Sequence, residues 1–295
     1  QGGGAVNPRA KKAPFPWFGG KSTVAEAVWQ RLGRPKQYIE PFCGSAAILL
    51  AAPRPASLEV IGDANCYVAN FWRALKFRPA DVTLWQDYPV SHIDLYARHR
   101  WLTEPSRVAT LRESLMDPEW PGDAQIAGWW LWGQCCWIGS GWCDPARGQR
   151  GEGHAVDDTC GQIPHAGNAG RGTQSTSLGK IPHASDATGQ IPFVSSQGMG
   201  AQGMVAEWMR TLASRLERVR VIHGDWSRCL NHHYGASETA VFLDPPYLAF
   251  EKLYSDASSE PIAAQVAAWA REHAHLRVAL CGHRGDYDMP GWSVL

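Results

Sequence analysis

The chain has 295 residues, 44% of them hydrophobic, enough for one large domain or two small ones with a real core. Lys and Arg total 28 and so do Asp and Glu, so the formal net charge is zero and any nucleic-acid partner would have to be met by local basic patches. No apolar run approaches the roughly 20 residues of a membrane span, and the longest, Ile126 to Gly139, is too short.

Eight cysteines without a single C-x-x-C pair do not read as a disulfide framework. Cys43, Cys66, Cys229 and Cys281 fall in or beside core elements, as buried thiols do. Cys135, Cys136, Cys143 and Cys160, with His154 nearby, suggest zinc less well than free thiols in a reducing cytoplasm.

Residues 1–13 are Gly-rich and then basic, and read as a mobile tail. Trp17-Phe18-Gly19-Gly20-Lys21-Ser22 leads into a helix expected from about Thr23 to Leu32. Paired glycines before a helix let backbone N–H groups approach an anion, and Lys21 adds a charge at that end. The spacing is not that of a P-loop. Gln37 to Phe42 reads as a strand, followed by Cys43-Gly44-Ser45 and a small-residue helix from Ala46 to Ala52, the first half of a nucleotide-type βα unit. Leu58 to Asp63 is a second strand ending in an acid, where such folds hydrogen-bond a ribose. A helix from Ala64 to Phe77 places Val68, Phe71, Trp72 and Leu75 on one core-facing stripe.

From Pro79 to about Glu119 the pattern is helical, and Gln125 to Ile138 is a Trp-rich helix, most of whose rings suit a packed seam. Residues 139–203 change character to glycine, serine and polar residues, with an imperfect repeat at Gly161-Gln162-Ile163-Pro164, Gly179-Lys180-Ile181-Pro182 and Gly189-Gln190-Ile191-Pro192. This is either a flexible linker or a set of loops that order on DNA. A helix then runs from Met204 to Arg218, and a strand from Val219 to Gly224 ends at Asp225-Trp226.

The run Val241-Phe242-Leu243 is a buried strand stopped by Asp244-Pro245-Pro246-Tyr247. Two prolines cannot continue a ladder and leave a stiff loop at the strand's carboxyl end, where open α/β sheets place their ligands. An acid beside a ring that can stack on a flat base suits chemistry on an exocyclic amino group. Leu248 to Ser259 reads as a loop closing on substrate, Pro261 to His273 as a helix and Arg277 to Cys281 as a strand; Leu295 comes before the last strands such a sheet would normally need, which reads either as a truncated fragment or as a short edge completing the sheet in an unusual way.

In one order, Trp17-Phe18-Gly19-Gly20-Lys21, Glu40-Pro41-Phe42-Cys43-Gly44-Ser45-Ala46, Asp63-Ala64-Asn65 with Asn70 and Phe71, and Asp244-Pro245-Pro246-Tyr247 resemble the Dam-like, alpha-group DNA adenine methyltransferases. The resemblance implies a doubly wound, Rossmann-like α/β sheet that binds S-adenosyl-L-methionine. It implies cofactor contacts from Trp17, Gly20, Lys21, Glu40, Phe42, Gly44 and Asp63, with Lys21 near the amino-acid carboxylate, Asp63 on the ribose and Asp225 near the adenine. Asp244, Pro245, Pro246 and Tyr247 would be catalytic. The family's second glycine is Ala46 here, which permits close approach if φ stays negative. The motifs cover the two ends of the chain, so residues 14–78 and 204–295 are assigned to the catalytic domain and 79–203 to an inserted target-recognition region. The expected activity is site-specific methylation of adenine N6 in double-stranded DNA in a bacterial or phage-infected cell. The alternatives are an RNA adenine or protein glutamine methyltransferase, or a catalytically silent DNA-binding relative.

Overall fold

A computed structural model describes residues 12–17, 20–137, 142–143, 200–230, 238–246, 261–283 and 285–295. Contacts divide the chain into two compact units, Gln1–Gly19 with Asn65–Glu217 and Gly20–Ala64 with Arg218–Leu295. The sequence motifs put the boundary after residue 78. In the structure the helix following Asp63 packs with the helical unit, so the boundary falls after Ala64.

The second unit is built on five parallel strands, β1 Gln37–Glu40, β2 Leu58–Asp63, β3 Val219–His223, β4 Thr239–Leu243 and β5 Arg277–Leu280, in the order β3-β2-β1-β4-β5. Ile39 lies opposite Val60 on one side and Val241 on the other, which makes β1 the central strand. Parallel strands covered on both faces lose the apolar–polar alternation. Accordingly every residue of β1 and of β4 is buried. The chain winds outward from β1 to β3, then crosses back to start β4 on the other side of β1. That reversal leaves a crevice between the carboxyl ends of β1 and β4.

Helix α1 Ala25–Leu32 buries Ala25, Val28, Trp29 and Leu32, one stripe at helical spacing. It stops at Gly33, whose positive φ of 70° with ψ −128° is open to glycine and strained for other residues, with its N–H returned to the Trp29 carbonyl. The Trp29 indole N–H donates to the Ile48 carbonyl at 2.8 Å, fixing α1 against α2 Ala47–Ala51. Ile39, Val60, Val241, Leu243 and Leu276 share one core cluster with Trp226, Cys229 and Leu230 of a 3₁₀ turn, Trp226–Leu230.

The regular elements described in the first unit are all helices. Its helices are α3 Cys66–Phe77, α4 Pro79–Gln86, α5 His92–Leu102, α6 Pro105–Ser114, α7 Ala124–Cys136 and α8 Gly200–Leu216. Asn65 caps α3, its Oδ1 accepting the N–H groups of Tyr67 and Val68. The sequence predicted a single core stripe on this helix. Every residue from Cys66 to Leu75 is buried, because α4, α6, α7 and α8 all pack on α3. Asn70 sits 0% exposed among them without penalty, since its amide exchanges two hydrogen bonds with the backbone of Asp123, the cap of α7. Phe15, Phe71, Trp72 and Trp130 close the same core edge to face. No helix among the described residues is long and apolar enough to cross a membrane.

Helix α9 Ile262–Glu272 completes the sheet unit and buries Ala263, Val266, Ala267 and Ala270.

Candidate active site

Parallel strands end on one side of their sheet, and here the five carboxyl ends carry, from one edge to the other, Asp225, Asp63, the Cys43–Ala46 loop, Asp244 and Cys281. The chemistry-bearing residues of the sheet unit thus share one rim.

The loop after β1 is held by backbone bonds from Cys43 N–H to the Gly62 carbonyl at 2.9 Å and from Ala46 N–H to the Cys43 carbonyl at 2.6 Å. Gly44 has φ 45°, and its N–H donates to Asp63 Oδ2 at 2.9 Å. The acid at the end of β2 therefore orients the glycine turn at the end of β1. Ala46 has φ 51°, so the expectation of negative φ fails there. The chain takes the left-handed turn that a glycine would take, and then enters α2. The resemblance pointed to a missing glycine, and the backbone still adopts the glycine's conformation.

Glu40 was expected to touch the cofactor. Its residue is 2% exposed, and Oε2 accepts the Tyr38 hydroxyl at 2.9 Å and the Leu49 N–H, in the first turn of α2, at 3.1 Å. A carboxyl so placed closes the helix N-terminus from the strand side. Burial pushes Glu40 up to about 8, partly offset by its two hydrogen bonds, while the charges of Asp244 and Glu59 push it the same way as burial.

On the far side, the Asp63 carbonyl accepts the Gly224 N–H at 3.2 Å. Asp225 accepts the Ser227 N–H at 2.9 Å and so caps the 3₁₀ turn. Phe42 stacks on Trp226 with centroids 6.3 Å apart and planes at 23°. These two rings give the rim an apolar wall beside the acids.

At the end of β4, Asp244 Oδ2 lies 2.7 Å from Lys21 Nζ, both side chains being largely covered. Among the described residues the Cys281 thiol also hydrogen-bonds to it, and the Cys281 N–H donates to the Leu243 carbonyl at 2.8 Å. Burial raises the carboxyl of Asp244 from its ordinary value, and Lys21 and Cys281 pull against that rise. Pro245 is buried and Pro246 half-buried. Tyr247 lies outside the described residues, as do residues 144–199 with their three repeats.

The structure thus brings Lys21, Glu40, Phe42, Gly44, Asp63, Asp225, Asp244, Pro245 and Pro246 into one unit, with Gly20 exposed just before Lys21. Lys21, given to a cofactor carboxylate by the resemblance, engages the Asp244 side chain. Trp17 belongs to the helical unit, where its ring meets Phe15 at 5.8 Å and Trp130 at 6.2 Å. Cys281, expected among the buried thiols, is half-buried on the rim. The signal for it was present in the sequence, since the residue that ends a parallel strand beside Asp244 must face the same side of the sheet.

A parallel sheet in this order, with acids and a glycine turn at its strand ends, is a doubly wound, Rossmann-like α/β arrangement, consistent with a methyltransferase fold. Residues 17–100 match the family model of the D12 class N6 adenine-specific DNA methyltransferases, in agreement with the resemblance to Dam-like enzymes. Methylation of adenine in DNA is the activity that family carries. No curated protein matches the chain.

Proposed function

We propose that the chain is a site-specific DNA adenine N6-methyltransferase that uses S-adenosyl-L-methionine and acts directly on a flipped-out adenine. The observation that carries this reading is the placement of Asp244, held by Lys21 at the end of β4, on the same rim as Asp63 and the Gly44 turn.

The residues on the rim suit the cofactor. Asp63 and Asp225 supply acceptors for ribose and adenine groups, the φ of Gly44 opens the turn for close backbone approach, and Phe42 with Trp226 offers an apolar wall. When bound, the cofactor supplies an electrophilic methyl on a sulfonium. N6 of adenine is hidden in a duplex, so the base has to leave the stack. An exocyclic amine is a poor nucleophile because its lone pair is conjugated with the ring. Asp244 and the carbonyl of Pro245 accept its two N–H bonds and favour a pyramidal nitrogen. Their effect grows as positive charge develops there, so it acts mainly in the transition state. Tyr247 stacks on the extruded base. Lys21 keeps Asp244 ionised and fixes which way its carboxylate faces. No cysteine follows a proline in this chain, so the covalent route used for ring carbons has no nucleophile of that pattern.

Residues 79–203, helical where described, are assigned to target recognition, with double-stranded DNA as partner. The test is incubation with duplex DNA, single-stranded RNA and protein extract in the presence of methyl-labelled S-adenosylmethionine, followed by nucleoside and amino-acid mass spectrometry. Labelled N6-methyladenine from DNA is the expected product. Label in RNA or in glutamine alone would give the reaction to another acceptor, and no label with DNA retained would leave a silent binding protein.

A further inference from the structure

We infer that Cys281 is a positioning residue for Asp244: its thiol donates to the carboxylate and, with Lys21, holds the acid in the orientation that receives the amine.

The geometry comes from strand register. Leu243 pairs with Leu280 across β4 and β5, so the next residues, Asp244 and Cys281, leave the sheet side by side. The Cys281 N–H is tied to the Leu243 carbonyl at 2.8 Å, which fixes the backbone from which the thiol reaches. Asp244 is then gripped from two directions, by the ammonium of Lys21 at 2.7 Å from the segment before α1, and by the thiol from β5. Among the described residues, Glu40 on β1 is the other titratable group that acts on this cluster. The thiol stays a donor at neutral pH, because burial and the neighbouring Asp244 push Cys281 up to about 12. A thiol so raised is a poor nucleophile and a competent hydrogen-bond donor. A side chain that only filled space here would need no polar hydrogen, and one that attacked the substrate would need a lowered pKa.

The inference rests on the reading of Asp244 as acceptor of the amine, and the experiment separates the two. Cys281→Ala, Cys281→Ser and Asp244→Ala are compared in full-length protein for cofactor affinity by calorimetry and for turnover on duplex DNA from pH 5.5 to 9. Losing one donor to a charged group lowers kcat of Cys281→Ala by about tenfold, moves the acid limb of its pH profile upward and spares cofactor affinity. Cys281→Ser, which keeps a donor, restores both. An unshifted acid limb in Cys281→Ala, or a serine variant as impaired as the alanine one, overturns the positioning role. Turnover surviving in Asp244→Ala overturns instead the reading of the acid itself. A second measurement needs no turnover. Alkylation of Cys281 by iodoacetamide, followed site by site with mass spectrometry at pH 7 to 9, should be faster in Asp244→Asn, where the anion that raises the thiol is gone. Equal rates in the two proteins would show that the thiol and the carboxyl are not coupled.

Discussion

Lys21 Nζ sits 2.7 Å from Asp244 Oδ2, joining the first motif of the chain to the Asp-Pro-Pro-Tyr loop through one ion pair. Both side chains are mostly withdrawn from water, at 15% and 18% exposure, so screening weakens this pair less than it would a surface pair. Burial alone pushes Asp244 toward its neutral form, and Lys21 opposes that.

Replacing Lys21 with methionine removes the larger of the two opposing influences. Asp244 then ionises at higher pH, and turnover on DNA falls at neutral pH while recovering part of its value on the alkaline side. The loss is largest on the acid side, because a buried carboxyl without its ammonium partner is held further toward its neutral form. The pH profile of kcat is the measurement. A uniform loss with no change in the acid limb would mean that Lys21 acts on the cofactor and not on the acid.

Asp63→Ala should weaken cofactor binding by about tenfold or more, the usual cost of a lost charge-assisted hydrogen bond. The carboxylate also holds the Gly44 N–H at 2.9 Å, so the glycine turn loosens with it. Asp63→Asn keeps an acceptor for that N–H and should fall between the two. Calorimetry on folded variants decides, and an unchanged affinity in Asp63→Ala removes the acid from the cofactor site.

Ala46 adopts φ 51° at a position with 0% exposure. The left-handed region costs an L-residue about 1–2 kcal/mol. Ala46→Gly relieves that strain but loses a buried methyl and gains unfolded-state freedom, so its stability should stay within about 1 kcal/mol of the parent. Ala46→Val places a β-branch in the same conformation with no room for it, and should lose more than about 2 kcal/mol. Urea unfolding of the three proteins tests the ordering. A valine variant as stable as the parent would mean that the turn is not left-handed.

The strands and their ends were legible in the sequence because a parallel core strand has to be a short apolar run closed by turn residues. Leu58–Asp63 is found where the pattern put it, and Asp63 and Asp244 end their strands as expected. What sequence could not give was the partner of each acid. Lys21 and Asp244 meet only because the segment before α1 and the end of β4 converge, a contact that no local spacing encodes. The helix Cys66–Phe77 misled for a similar reason: a stripe of four apolar residues cannot reveal that neighbours will cover the other faces too. For Glu40 the motif names a ligand, and no local spacing announced that Tyr38, two residues earlier on the same strand, and Leu49 in the next helix both donate to its Oε2.

That burial of Glu40 makes stability depend on pH. An ordinary glutamate ionises near 4.5, and the folded protein raises this one to about 8, chiefly through desolvation. Between those values the unfolded chain has released the proton and the folded chain still holds it. The contribution of Glu40 to stability is therefore complete below about pH 4.5, declines as pH rises through the window, and is lost above about 8. The slope inside the window approaches about 1.4 kcal/mol per pH unit for one proton. Glu40→Gln keeps an acceptor for the Tyr38 hydroxyl and the Leu49 N–H but has no proton to lose. Its stability should run flat where the parent falls, so the two melting curves diverge from about pH 5 upward and the glutamine variant melts higher at pH 8.5. Thermal unfolding of both proteins across that range is the check. Parallel curves would mean that Glu40 is ionised and solvated in the folded protein, which would return it to the cofactor side of the loop.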